Sequence, residues 1–117
     1  LIWLAARDRL YAMETGLAAQ RLAELGNSTR LAIFKLLVRA GPDGLVVGEI
    51  QRRLNVPAST LSHHLARLGR ADLVEQRRAS RNLHCFARRD VMNALVEFLT
   101  AECCLGFDDD REREDAA

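Results

Sequence analysis

The stretch Pro57-Ala58-Ser59-Thr60-Leu61-Ser62-His63-His64-Leu65-Ala66-Arg67-Leu68-Gly69-Arg70-Ala71 repeats leucine at positions 61, 65 and 68. That spacing puts the three side chains on one face of a helix, and proline suits the first turn because the N–H it lacks would be unpaired there anyway. With the leucines committed to a core, Ser59, Ser62, His63 and Arg67 fall on or beside the opposite face, and Thr60 joins them as a candidate contact residue. Serine can donate or accept at a base edge or a phosphate, histidine does either according to its tautomer, and the arginine fork suits guanine or phosphate. Ser62 and His63 are the leading base-facing candidates, whereas His64 can equally pack at the helix edge.

Upstream, residues 47–54 place Ile50 and Leu54 four apart, as in a two-turn helix, and Asn55 separates it from the helix above. Before that, Leu17, Ala18, Leu22 and Leu25 predict a first helix reaching back toward Leu10, with Gly26 as its breaker. Asn27 or Ser28 then caps a second helix with Leu31, Phe34, Leu37 and Val38 on its apolar face, ended by Gly41-Pro42. Downstream, Leu73, Leu83, Cys85 and Ala87 flank the polar tip Arg77-Arg78-Ala79-Ser80-Arg81-Asn82 and predict a β-hairpin. A last helix, with Asp90 as its cap, carries Val91, Leu95, Phe98 and Leu99 and ends near Gly106. The fold class is therefore mainly α with a small β-hairpin, about five helices in a winged helix-turn-helix order, and in that arrangement the second helix of the motif enters a DNA major groove. Arg77, Arg78 and Arg81 at the hairpin tip suit phosphate or minor-groove contact, which adds salt-sensitive affinity and little sequence information.

The charge distribution points the same way. Over the whole 117 residues the net charge is only +1, but residues 51–89 hold nine arginines against Asp72 and Glu75, a net of +7, while residues 108–117 carry −4. A basic block inside a folded region is the footprint of a phosphate-binding surface. The chain length suits one domain, at residues 17–106, preceded by an extension and helix start at 1–16 and followed by an acidic disordered tail at 107–117. Met13 is a candidate natural start. No apolar run is long enough to span a membrane, and Arg7, Asp8 and Arg9 interrupt any signal-peptide core, which places the protein in the cytoplasm without a membrane partner. An enzyme is not expected: the serines and histidines share one helix, no glycine-rich phosphate loop exists, and no third residue is available to orient a base.

Two strings together, Leu25-Gly26-Asn27-Ser28-Thr29-Arg30-Leu31-Ala32-Ile33-Phe34 and residues 59–68 quoted above, resemble the ArsR/SmtB family of metal- and metalloid-responsive repressors. The resemblance covers residues 17–104. It implies a homodimer built mainly from the first and last helices, bound to an imperfect palindrome in operator double-stranded DNA and released by an inducer. Where arsenic-sensing members carry a Cys-Val-Cys motif, this chain has Val46-Val47-Gly48-Glu49, and its last helix lacks the histidines of zinc-sensing members. Cys103-Cys104 instead resembles the vicinal pairs of other family sensors of trivalent arsenic or antimony.

Soft, lone-pair-bearing centres prefer thiolates to oxygen or imidazole ligands. Adjacent side chains diverge by about 100° on an ideal helix, so a frayed end made possible by Gly106 suits convergence of the pair. Cys85 is roughly 20 Å of helix away within one chain, at 1.5 Å per residue, so the third position falls to hydroxide, a small thiol, a carbon substituent, or Cys85 of a second copy. The inducer is not needed for folding. Two other readings stay open: Cys103 and Cys104 as small residues packed at a dimer interface, and the pair as a sensor of thiol oxidation or another soft metal, although an adjacent-cysteine disulfide is strained.

Overall fold

Ile33, Leu37, Ile50, Leu61, Leu65, Leu68, Leu73 and Cys85 are the largest fully buried side chains, drawn from three helices, a sheet strand and the turn that leads into the sheet. The computed structural model describes residues 13–107. Its elements run α1 (Thr15–Leu25), α2 (Ser28–Ala40), a 3-10 turn (Gly41–Asp43), β1 (Leu45–Val46), α3 (Val47–Leu54), α4 (Ala58–Arg70), β2 (Val74–Ala79), β3 (Asn82–Ala87) and α5 (Arg89–Thr100). The five helices and small antiparallel sheet form a winged helix-turn-helix fold. Among the described residues no helix is long and apolar enough to cross a membrane. The N-terminal residues 1–12 and the expected acidic tail at 108–117 lie outside the described residues, and so does the helical extension to Leu10, since α1 begins only at Thr15.

Local chemistry sets the boundaries. The Asn27 side chain accepts a hydrogen bond from the Arg30 N–H at 3.1 Å, which satisfies one of the free donors at the start of α2. Asp90 is not the cap of α5; that place is held by Arg88, and Asp90 sits in the first turn with its carboxylate bound by the Arg88 guanidinium at 3.0 and 3.2 Å. The Arg88 pair holds Asp90 below its ordinary carboxylate value. α5 stops at Thr100 rather than near Gly106, and the Thr100 hydroxyl donates back to the Val96 carbonyl at 2.9 Å.

The hairpin is present with one addition. β1 pairs antiparallel with β3, giving a three-stranded sheet in the order β1-β3-β2, with Leu45 opposite Cys85 and Gln76 opposite the same residue from the other side. β1 is too short for alternation to reveal. On α2 it is Ile33, not Leu31, that enters the core with Phe34 and Leu37; Leu31 is 42% exposed. The expected apolar stripes of the outer helices are likewise only partly covered, since Leu22 on α1 and Leu99 on α5 stand exposed. A second, smaller cluster of Met13, Ala18, Ala94 and Leu95, with Leu17, Leu25 and Phe98 against it, joins α1 to α5 away from the main core.

Gly44 makes the entry to β1 possible. Its φ is +63°, and a Cβ there would run into the Cys85 carbonyl oxygen and come within 2.6 Å of the Phe86 ring. Gly48, by contrast, lies in α3 with open space around it. Gly44→Ala is expected to destabilise the fold by about 2 kcal/mol or more, while Gly48→Ala stabilises it by up to roughly 1 kcal/mol through helix propensity. Urea unfolding of both variants checks the pair; equal midpoints would contradict the account of the β1 entry.

Candidate nucleic-acid interface

α3 ends because Asn55 adopts a left-handed backbone, φ 52°, from which its N–H donates to the Gln51 carbonyl at 2.8 Å. Asparagine tolerates that conformation better than most residues. Pro57 then precedes α4, and its carbonyl accepts from the Leu61 N–H at 2.9 Å. Leu61, Leu65 and Leu68 face the core, which leaves Ser59, Ser62, His63, Ala66 and Arg70 as an exposed strip at three-to-four spacing, with Thr60 exposed beside it. Ala66 and Arg70 continue the strip beyond the residues singled out from sequence. The same periodicity that placed Ser62 and His63 would have found them, and the short Ala66 side chain leaves the helix backbone approachable between them.

Arg67 lies to one side of this strip and is already engaged. Its Nε and NH2 donate to the two Glu24 carboxylate oxygens at 3.0 and 3.2 Å. Glu24 belongs to α1, and its own backbone carbonyl accepts from Arg30 Nε at 2.7 Å. Arg30 is buried and also reaches α4, where its NH1 donates to His64 Nδ1 at 3.3 Å. At the far end of α4, the buried Arg21 donates from Nε to the Ala71 carbonyl at 3.1 Å and lies 3.6 Å from the Asp72 carboxylate. Three arginines thus fasten α1 to α4. The sequence offered one clue to them: Arg21 falls between Ala18 and Leu25 on the side of α1 that packs inward.

A cleft of about 310 Å³ opens between α1 and α4, lined by Gln20, Glu24, His63, Arg67, Arg70 and Ala71. On α3, Glu49 accepts from Arg52 and from Arg53, and these two guanidiniums bring its pKa down to about 2.

The sheet forms the wing. Arg77 stands opposite His84 and Arg78 opposite Leu83, so the two arginines point to opposite faces. Arg77 donates to both Glu75 oxygens, at 3.0 and 3.2 Å, and its guanidinium sits 4.6 Å from the centre of the Phe86 ring. Arg78 and Arg81 are exposed at the tip, and among the described residues neither has a carboxylate partner. The sequence candidates therefore separate into Ser59, Thr60, Ser62, His63, Arg78 and Arg81, which face solvent without an acid attached, and Arg67 and Arg77, which already carry one.

Cys103 and Cys104 lie beyond α5 in the turn at residues 101–104, where the Cys103 N–H donates to the Thr100 carbonyl at 3.0 Å and Cys104 has φ 63°. Both are exposed, with their sulfurs 3.4 Å apart. At thiolate bond lengths of about 2.3 Å, that separation subtends roughly 95° at a shared atom. Among the described residues no three His, Cys, Asp or Glu side chains gather as a metal site. Cys85 is a different kind of thiol: burial pushes it up from its ordinary pKa, and Gln76 Nε2 lies 3.6 Å from its sulfur.

The sequence pattern of a family described as a helix-turn-helix domain matches residues 25–77, from the end of α1 into β2. No match is found among proteins of curated function. Among solved structures, HlyU from Vibrio cholerae N16961 is 32% identical with a TM-score of 0.61, over 79% of this chain and 99% of that one. Reduced HlyU from the same organism is 29% identical with a TM-score of 0.59, over 77% and 92%. A homodimeric winged helix-turn-helix DNA-binding domain from Mycobacterium bovis, Mb0332, described as a possible ArsR-family transcriptional regulator, is 28% identical with a TM-score of 0.60, over 74% and 81%.

The Arg30–His64 contact has a pH consequence. Burial, followed by the Arg30 charge, lowers the His64 pKa below its ordinary 6.5. Because the folded state then resists protonation, the unfolded state binds more protons in the window just below that value. Stability is complete above about pH 6.5 and falls as the pH drops through the folded-state value. His64→Gln, which keeps an acceptor for Arg30 but does not titrate, is expected to flatten the pH dependence of the urea midpoint. Parallel profiles for the two proteins would show that His64 is not the titrating group.

Proposed function

The chain belongs to the ArsR/SmtB family of winged-helix DNA-binding regulators, and we propose that it is a dimeric repressor whose hold on operator DNA is released by trivalent arsenic or antimony at Cys103 and Cys104. The observation carrying the DNA half is the outer strip of α4, where Ser59, Ser62 and His63 stand exposed around the small Ala66. Ser62 and His63 read base edges, Ser59 and Thr60 meet base or phosphate at the helix start, and Arg78 and Arg81 take phosphates from the wing. The protein acts as a regulator and not as an enzyme.

Dimerisation follows from what the monomer leaves uncovered. Leu22 on α1 and Val96 and Leu99 on α5 stand exposed, next to the small α1–α5 cluster. A second copy docked there by a two-fold axis buries them and sets two α4 helices about 34 Å apart, the repeat of the major groove.

The inducer half is supported by sulfur geometry. Two exposed thiols 3.4 Å apart can bond one soft pyramidal centre, whose third position is taken by hydroxide, a small thiol or a carbon substituent, because Cys85 is sealed in the core of each copy. Bonding both thiolates fixes the 101–104 turn at the end of α5, beside the proposed dimer contact. From there α1 reaches α4 through Arg21, Arg30 and Glu24. A coupling of about 1–3 kcal/mol, roughly 5- to 150-fold in affinity, suffices for release, and DNA must weaken inducer binding by the same factor. A second reading, a sensor of thiol oxidation, draws on the same exposed pair and on the likeness to reduced HlyU.

Titrating the complex with a duplex selected from a random pool tests these readings. Arsenite or antimonite should release the DNA, and Cys103→Ser/Cys104→Ser should bind as before but no longer respond. Release by peroxide alone favours the oxidation reading, and continued metalloid release from the double variant puts the inducer elsewhere. His63→Ala should erase preference for the selected duplex, whereas Arg78→Ala should weaken all duplexes alike and reduce the slope of log affinity against log salt by about 0.9. Equal effects of the two would contradict the division between reading and anchoring.

A further inference from the structure

Arg67 is a cation on α4 one turn beyond His63, beside the exposed strip and an open cleft. Its guanidinium nevertheless presents its two-pronged edge to Glu24, with Nε and NH2 on separate carboxylate oxygens. A guanidinium edge bound in this way to a carboxylate is in the geometry it would offer a phosphate, and it cannot serve both.

Glu24 is not free to follow Arg67 outward. Its side chain is only 16% exposed against 42% for Arg67, its carboxylate lies 3.4 Å from the Nε of the buried Arg30, and its carbonyl accepts from that same nitrogen at 2.7 Å. Arg30 is fixed in turn by His64 on α4. The acid is therefore anchored and the exposed arginine is drawn in to it. Among the described residues, Arg70, next along the rim of the cleft, has only the Ala66 carbonyl as a partner at 3.4 Å and keeps its charge available.

We propose that Glu24 is a positioning residue that withholds Arg67 from DNA, standing in for a phosphate so that Arg67 serves as a strut between α1 and α4. The proposal rests on the DNA-binding reading and deepens it. It makes the number of phosphates engaged beside α4 a property of α1, the helix proposed to form the dimer contact. When α1 shifts relative to α4, the arginine is either held or let go.

The salt dependence of binding reads this directly, because each phosphate neutralised adds about 0.9 to the slope of log affinity against log salt. Fluorescence anisotropy with a mixed-sequence duplex, over a salt series, compares the wild type, Arg67→Ala, Glu24→Gln and the double variant. Arg67→Ala should keep the wild-type slope. Glu24→Gln should steepen it by about 0.9 as the released arginine takes a phosphate, and the double variant should return to the wild-type value.

A flatter slope for Arg67→Ala alone would overturn the proposal, since Arg67 would then be a phosphate contact already. An unchanged slope for Glu24→Gln would overturn it too. So would a steepening that persists without Arg67, because that would be the mere loss of an acid near DNA. Should Glu24→Gln fail to fold, Arg67→Ala still tests the proposal, a flatter slope overturning it, at a side chain that is 42% exposed. Failure of the wild type to bind any duplex would sink the DNA reading as well, an outcome distinct from binding with an uncooperative slope.

Discussion

Leu61, Leu65 and Leu68 press α4 against a core that also holds Ile33, Leu37, Ile50 and Leu73, and the orientation of every other side chain on α4 follows from that contact. A helix has one degree of rotational freedom about its axis. Three leucines at three-to-four spacing remove it, because turning the helix by even one residue position would expose large apolar surface worth about 1.5–3 kcal/mol per side chain. Ser59, Ser62, His63 and Ala66 therefore face outward as a consequence of what faces inward. Asn55 contributes the second constraint, since its left-handed turn sets the direction in which α4 leaves α3.

Around this core, charge is managed by position. Some arginines are inside and act as hydrogen-bond donors to backbone: Arg21 on the Ala71 carbonyl and Arg30 on the Glu24 carbonyl. Others are paired at the surface, as Arg52 and Arg53 are with Glu49 and Arg77 is with Glu75. Exposed pairs of this kind add little to stability, but they subtract from the positive field. Counting nine arginines over residues 51–89 thus overstates the cationic surface, which is concentrated on Arg70, Arg78, Arg81 and Arg89 once the pairs among the described residues are taken out.

The elements were legible in the sequence wherever a period was clean. α4 emerges from residues 57–71 almost to the residue, and α3 from Ile50 and Leu54. Legibility failed where apolar residues crowd: α2 holds Leu31, Ile33, Phe34, Leu36, Leu37 and Val38, and such a run fits more than one face, so Leu31 was placed inside where Ile33 belongs. It failed again at β1, two residues long, and at the end of α5, where nothing in Ala101-Glu102 announces a stop and Thr100 turns its hydroxyl back on the helix. The exposed half of the candidate interface could be read from spacing alone. Its buried half could not, because Glu24 and Arg67 are 43 positions apart and meet only through the packing of α1 on α4.

The α1–α5 cluster is separate from the main core, with Leu25 packed against both. Interlocked leucines resist sliding, since displacing them opens voids, whereas hydrogen bonds from arginine to carbonyl or carboxylate can exchange one acceptor for another over a short distance. The seam between α1 and α4 is held by bonds of the second kind at Arg21, Arg30 and Arg67. Mechanically the molecule resembles two stiff plates joined by a row of re-seatable latches, a construction in which a small shear is taken up by exchange of partners along the seam while the packing inside each plate stays intact.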